Sequence, residues 1–272
     1  MAKAERKAII FVAMALALLA LLTLASCSKG SQVDETPADQ KVQVPENNYS
    51  FLVCGDPHGR VDLLERIIGQ ARDGEFLAIV GDLTTGTGLQ EMKKMKDFLD
   101  SKSLPYHVIP GDNDMPRGNL ANYQSVFGPD YYSLDMQDSH LIFLDDAIPG
   151  TGCLQDELGW LKQDLSATAG KIIIAFAHVP PGAPVTMNDV EATQREADSA
   201  HEMLGLLRNA GAAVLYSGHL HAYLLYSDGP PRIIVTGGAG APLHLSEQSG
   251  GYYHFLRVTV NGDQVSEEII RL

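Results

Sequence analysis

The chain has 272 residues, 45% hydrophobic, 20% charged and 7% aromatic, the balance of a globular protein with one sizeable core or at most two domains. Disordered, collagenous and disulfide-scaffold classes are excluded, the last because three cysteines make no framework. Thirty-four acidic against 20 basic residues give a formal charge of −14, a field that argues against general nucleic-acid binding and requires a metal or local arginines for any anionic substrate.

Lys3, Arg6 and Lys7 precede an uncharged, largely Ala/Leu/Ile/Val run over residues 8–25, the pattern of an export signal. At 18 residues the run also suffices to span a bilayer, so a retained signal anchor competes with cleavage. Leu24-Ala25-Ser26-Cys27 resembles the lipobox of bacterial lipoproteins. The resemblance implies removal of residues 1–26 as a signal peptide and a diacylglyceryl group on Cys27. It also implies residence in the cell envelope, on the periplasmic or extracellular face of a membrane. Residues 28–48 are polar, carry two prolines and lack apolar periodicity, so residues 27–48 read as a lipidated flexible tether. Cys54 and Cys153 could pair in an oxidising compartment, but their apolar and Gly-rich settings favour free structural thiols.

From Tyr49, short apolar runs alternate with amphipathic segments, which predicts β-α units in a single domain over residues 49–272. Strands are expected at residues 50–54, 76–80, 106–109, 140–144, 172–177 and 213–217. Helices are expected at 61–72, 89–102, 156–165 and 189–209, with Met92, Met95, Phe98 and Leu99 as a core stripe of the second. A C-terminal β-meander follows at 223–226, 232–236, 252–260 and 264–272, with Asn261-Gly262 as its last hairpin turn.

Five of the first six strands run directly into polar residues: Gly55-Asp56-Pro57-His58, Gly81-Asp82, Gly111-Asp112-Asn113-Asp114, His178 and Gly218-His219-Leu220-His221. Loops at strand carboxyl ends bring sequence-distant side chains together over a rigid scaffold. Asp56, His58, Asp82, Asp112, His178, His219 and His221 form a ligand set of imidazoles and carboxylates without thiolate, which suits Mn, Fe, Zn, Co or Ni. Seven ligands exceed the needs of one tetrahedral ion, so two ions sharing a carboxylate are expected. Such a pair clamps an in-line displacement at phosphorus and supplies the positive charge that the acidic chain lacks.

In their order along the chain, these motifs resemble those of the calcineurin-like metallophosphoesterase superfamily over residues 50–240. The resemblance implies an α/β fold, a four-layer α/β/β/α sandwich of two mixed β-sheets. It also implies two divalent or mixed-valence ions (Mn, Fe or Zn), with Asp56, His58 and His221 on the first, Asp112, His178 and His219 on the second, and Asp82 bridging. The implied activity is hydrolysis of phosphate mono- or diesters by a metal-bridging hydroxide.

Two positions depart from the superfamily pattern. Asp112 and Asn113 stand where it usually has Asn and His; Asp112 still offers a metal ligand, whereas Asn113 can donate a hydrogen bond to phosphate but no proton. Alkoxide leaving groups should therefore suffer more than aryl oxides. Thr85 stands where the purple acid phosphatase branch has tyrosine, so no tyrosinate ligand is expected.

Arg60 and Arg117 lie near the first and third motifs and read equally as phosphate contacts or as solvated loop arginines. Asp145 and Asp146 read as acceptors for a ligating histidine or as turn formers. Residues 237–242 are glycine-rich but precede no helix, so they read as a rim loop and not a nucleotide fingerprint. His107, His140, His201, His244 and His254 fit no ligand position. Three functions are compatible with this pattern: an anchored metallophosphoesterase, a non-catalytic metal-binding envelope protein, and a hydrolase of phospholipid or lipid-linked pyrophosphate. Export argues against intracellular cyclic-nucleotide turnover, although Gly81-Asp82-Leu83-Thr84 is similar to that branch.

Overall fold

The computed structural model describes residues 48–272 except 87, 116–117 and 187–190, so the leader, Cys27 and the tether to residue 47 lie outside the described residues. Eleven strands form two mixed sheets among these residues. The first contains β1 (Asn48–Cys54), β2 (Leu77–Val80), β3 (Tyr106–Ile109), β10 (His254–Asn261) and β11 (Gln264–Arg271), in the order β11-β10-β1-β2-β3. The second contains β4 (Tyr132–Met136), β5 (Ser139–Phe143), β6 (Ile172–Phe176), β7 (Val214–Ser217), β8 (Tyr223–Ser227) and β9 (Arg232–Thr236), in the order β4-β5-β6-β7-β9-β8. β1, β2 and β3 are parallel, as are β5, β6, β7 and β9, whereas β10, β11, β4 and β8 join antiparallel.

Strand periodicity explains the layering. On β1, Phe51 and Val53 enter a core between the sheets, together with Leu141, Phe143, Ile174 and Phe176 from β5 and β6. The alternate residues Leu52 and Cys54 face a second core with Leu64 and Ile67 of α1 (Val61–Ile68), Met92, Met95 and Leu99 of α2 (Leu89–Asp100) and Tyr123 of α3 (Ala121–Phe127). Ile142, Ile173 and Ala175 turn the other way, to Leu158 and Leu161 of α4 (Gln155–Leu165) and Met203 and Leu207 of α5 (Gln194–Asn209). Three cores stacked in this way make the α/β/β/α sandwich that the motifs imply. Cys54 and Cys153 are buried free thiols.

Predicted strand ends fall within two residues of those observed, but several elements differ. The first helix stops at Ile68 instead of residue 72, because the Glu75 carboxylate takes the Arg72 N–H at 2.7 Å and turns the chain. The acidic helix starts at Gln194 instead of residue 189, where Thr193 and Glu196 close a reciprocal capping box. The last hairpin turns on Gly262-Asp263, with Asn261 paired to Gln264, because only Gly262 takes a positive φ (+61°) there. α3 and β4, which joins β5 through a turn on Gln137-Asp138 with Gln137 at φ +51°, carry no predicted element.

The parallel strands set the site. Gly55 N–H, just past β1, bonds the Thr236 carbonyl at the end of β9, and Ala239 N–H bonds the Gly55 carbonyl, which ties the carboxyl ends of the two sheets together.

Candidate metal centre

The chain turns abruptly after β1, β2 and β7. Among the described residues, six other than glycine have φ in the left-handed region, and five are Asp56, His58, Asp82, His219 and His221, at φ +45° to +68°. Such backbone costs on the order of 1–3 kcal/mol per residue and persists where neighbouring bonds impose it. Here Asp56 N–H is held by the Gly81 carbonyl and His58 N–H by the Asp82 carbonyl.

The turns gather all seven predicted ligands. Asp56, His58, Asp82 and His221 each place a donor atom within 4.8 Å of the others, and so do Asp112, His178 and His219. Asp82 joins the two groups: its Oδ2 lies 3.0 Å from His58 Nε2 and its Oδ1 3.5 Å from His178 Nε2. Asp112 Oδ1 lies 3.2 Å from His178 Nε2 and 3.1 Å from His219 Nδ1, and Asp56 Oδ1 lies 3.5 Å from His221 Nε2.

Three imidazoles have their second nitrogen spent on a main-chain carbonyl. His178 Nδ1 bonds Val80 O at 2.8 Å, His219 Nε2 bonds Pro184 O at 2.9 Å and His221 Nδ1 bonds Pro242 O at 2.9 Å. In the neutral ring, each bond places the proton on the carbonyl side and leaves the inward nitrogen as a lone-pair donor, the tautomer that a metal ligand requires. Glycines allow the close approach, Gly111 and Gly237 among them. A Cβ on Gly111 would lie 2.2 Å from Asp82 Oδ1, and one on Gly237 would lie 2.7 Å from Asp56 Oδ2. The glycine-rich segment 237–242 is thus part of the site wall and not only its rim.

The electrostatics fit a cationic occupant. Burial raises the Asp56 carboxyl to about 7, against the partly compensating charge of His178. Burial opposes charge on His178 as well, but Asp82, Asp112 and Asp56 outweigh it and hold the imidazole well above its ordinary value. His58 is raised in the same way, with Asp82 overcoming burial, whereas burial lowers His221 to about 4. Burial is likewise overcome at Asp82, where His178 and His58 keep the carboxyl below its ordinary value, and at Asp112, where His178 and His219 do so. Three carboxylates in so small a volume take counter-charge from ring protons, a role that divalent cations fill more fully. Donor type, tautomer and charge therefore suit Mn, Fe or Zn.

Supporting groups account for residues that the sequence left ambiguous. Asp114 is fully buried and accepts the N–H groups of Leu83, Thr84 and Gly111 at 2.9, 3.0 and 3.1 Å, fastening the second motif to the third. Asp146 accepts the main-chain N–H of His178 at 2.8 Å, so it positions the strand end and not the ring; Asp145 accepts Ala147 N–H as a turn former. Asn113 donates from Nδ2 to Asp82 Oδ2 at 2.7 Å and from its main chain to Asp82 Oδ1 at 2.9 Å, which leaves one amide N–H unspent. Arg60 is not turned toward the ligands: its guanidinium makes two 2.8 Å bonds to Asp62 on the exposed start of α1. Arg117 lies outside the described residues.

Among the histidines without a ligand position, His107 packs against Phe76 and Phe143, and His140 bridges Asp135 and Asp164 at 2.7 Å each. His254 bonds Tyr252 O and Thr236, and His201 is exposed. His244 stacks on His221 with ring centroids 5.0 Å apart, a neighbour of the site that no motif spacing signals.

The family model for calcineurin-like phosphoesterases matches residues 49–223. A probable cyclic nucleotide phosphodiesterase of Fibrobacter succinogenes is 24% identical over 173 residues, 61% of this chain and 64% of that protein. A probable glycerophosphodiester phosphodiesterase of Arcobacter nitrofigilis is 26% identical over 156 residues, 54% of this chain and 56% of that protein. The chain thus matches less than two thirds of either relative's length. Among solved structures, the GAP50 anchor of the Plasmodium inner membrane complex is similar in fold, with a TM-score of 0.58 at 13% identity over 83% of this chain and 85% of that one.

Proposed function

The chain belongs to the calcineurin-like phosphoesterase family, and from that premise we propose that it is a dinuclear metal-dependent hydrolase of phosphate esters, diesters above all. The observation that carries this reading is the placement of Asp82 between two groups of donors, Asp56/His58/His221 and Asp112/His178/His219. When bound, a pair of divalent cations supplies the charge neutralisation and activated water that hydrolysis at phosphorus needs. The protein's part is to fix the donors. Main-chain carbonyls set three imidazole tautomers, and Asp114 locks the loops that carry Asp82 and Asp112.

The free N–H of Asn113 serves as a hydrogen-bond donor to a phosphoryl oxygen. No proton reaches the leaving oxygen from this amide, so esters of acidic alcohols and phenols are the favoured substrates. The names of the Fibrobacter and Arcobacter relatives support diesters over monoesters. Through acylated Cys27, the chain acts from the periplasmic or extracellular face of an envelope membrane. Mass spectrometry that finds an unprocessed Met1 overturns that placement.

The test of activity is hydrolysis of bis(p-nitrophenyl) phosphate and p-nitrophenyl phosphate with added Mn²⁺. We expect turnover of both, faster for the diester and abolished in Asp82→Ala. Absence of turnover of either ester with Mn²⁺, Fe²⁺ or Zn²⁺ overturns the proposal.

A further inference from the structure

A cavity of about 510 Å³ opens beside the metal centre, and neither the ligand motifs nor the chemistry above uses it. It is lined by His58, whose Nε2 faces Asp82, by Gly59, Val61, Thr84 and Thr85, and by one face of α2. That face presents Glu91, Lys94, Met95 and Phe98, the spacing of a single helical stripe. The sequence assigns Met95 and Phe98 to the core; the structure uses them for the cavity as well.

The charged side chains of the lining stand at its surface. Met95 is 2% exposed, whereas Val61 is 40% exposed and Glu91 and Lys94 stand at the surface. Phe98 is half-buried, and Lys102 Nζ lies 4.7 Å from its ring centroid while bonded to Glu65 at 2.7 Å, so the ring is held in place as a wall. Among the described residues, the side chains of Glu91 and Lys94 enter no hydrogen bond or ion pair. A preformed concavity of this size, mostly apolar with a few polar groups at the rim, has the composition of a site for a small organic group. A bare phosphate or a short polyol gains nothing from Met95, Val61 and Phe98.

We infer that this cavity binds the organic group of the phosphoester, and that the group is aromatic or heteroaromatic, with the phosphoryl at His58 and the ring between Val61 and Phe98. The inference rests on the phosphoesterase reading and narrows its substrate class. It makes Val61, Thr85 and Phe98 determinants of specificity and leaves the reaction itself to the metal centre.

Non-hydrolysable phosphonates test the inference without turnover. Methylphosphonate and phenylphosphonate carry the same anionic head and differ only in the group offered to the cavity. Calorimetry on the full-length, Mn²⁺-loaded protein should show phenylphosphonate binding at least about tenfold more tightly, the low end of what partial burial of a ring supplies. Val61→Asn, which makes the wall polar, and Thr85→Trp, which fills the cavity, should each lower that ratio several-fold. Both positions are exposed, and a thermal melt checks that each variant folds. Equal affinities in wild type, or a ratio unchanged in both folded variants, overturn the cavity assignment and leave the phosphoesterase reading standing if ester hydrolysis is observed. Failure of both phosphonates to bind, with no ester hydrolysed, overturns both.

Discussion

Replacing Gly111 by alanine isolates the packing of the metal centre from its chemistry. Gly111 has φ −114° and ψ 175°, backbone that alanine adopts freely, so any effect is steric. The added Cβ would lie 2.2 Å from Asp82 Oδ1 and 2.3 Å from Asp82 N, where van der Waals contact needs about 3.5 Å, so Asp82 must retreat by more than about 1 Å. It has little room to do so. Its φ is already +53°, and its carboxylate is held by Asn113 at 2.7 and 2.9 Å and faces His58 at 3.0 Å. Overpacking of this kind costs about 1–3 kcal/mol, which a folded domain survives.

A 1 Å misplacement of the shared carboxylate should cost about 10²-fold in kcat/KM, with metal affinity down about 10–100-fold in both donor groups. The assays are Mn²⁺ titration by calorimetry, hydrolysis of bis(p-nitrophenyl) phosphate and thermal melting. Gly159→Ala is the control: it lies exposed on α4 with nothing within 4 Å of its Cβ and should stabilise by about 0.5–1 kcal/mol without touching activity. Wild-type metal affinity and turnover in a folded Gly111→Ala protein would refute the claim that Asp82 is fixed by close packing and shared by both sites.

Asn113→His places a proton donor where the amide of Asn113 supplies none, so alkyl diesters should gain up to ~10²–10⁴-fold while aryl diesters change little; identical leaving-group slopes in the two proteins would show that no acid was missing. Because Asp82 and its neighbours raise His178 and His58 above the ordinary histidine value, both hold protons over a wider range that metal must displace. Mn²⁺ affinity should accordingly fall as pH drops through and below neutrality, with proton release measurable by calorimetry in buffers of different ionisation enthalpy; heats independent of buffer would contradict this. Far from the site, Arg257 is 6% exposed and donates to Glu75 at 3.0 Å and to the Gln70 carbonyl at 2.6 Å. Arg257→Met should lower stability by up to about 3–5 kcal/mol in denaturant melts by removing the cation from the buried Glu75, which keeps only the Ser50 hydroxyl and the Arg72 N–H, and a loss below about 1 kcal/mol would show that the pair contributes little.

The candidate ligands are legible in the sequence because their chemistry restricts residue type and the fold restricts place. Asp, His and Gly immediately after an apolar strand form a local pattern. What gives each ligand its orientation is not local. The carbonyls of Val80, Pro184 and Pro242 that set the imidazole tautomers carry no side-chain signature. Asp114 is visible as a residue of the third motif, but its hold on Leu83 and Thr84 depends on β2 and β3 lying side by side. Gly237 resembles any loop glycine until Asp56 is packed against it. Arg60 has the charge to bind phosphate, yet Asp62 two residues on captures it. In the fold, β4 and α3 are short, and the turn after β4 uses Gln137 where a glycine or asparagine would have marked it.

The central claim is that one carboxylate, Asp82, serves two metal ions, and metal stoichiometry tests it most directly. Full-length protein saturated with Mn²⁺ and freed of excess ion should carry two ions per chain by elemental analysis. Asp82→Asn, which keeps the shape and removes the charge, should retain one or none and lose diester hydrolysis. A single ion in saturated wild type, or two tightly held ions in Asp82→Asn, would contradict the account.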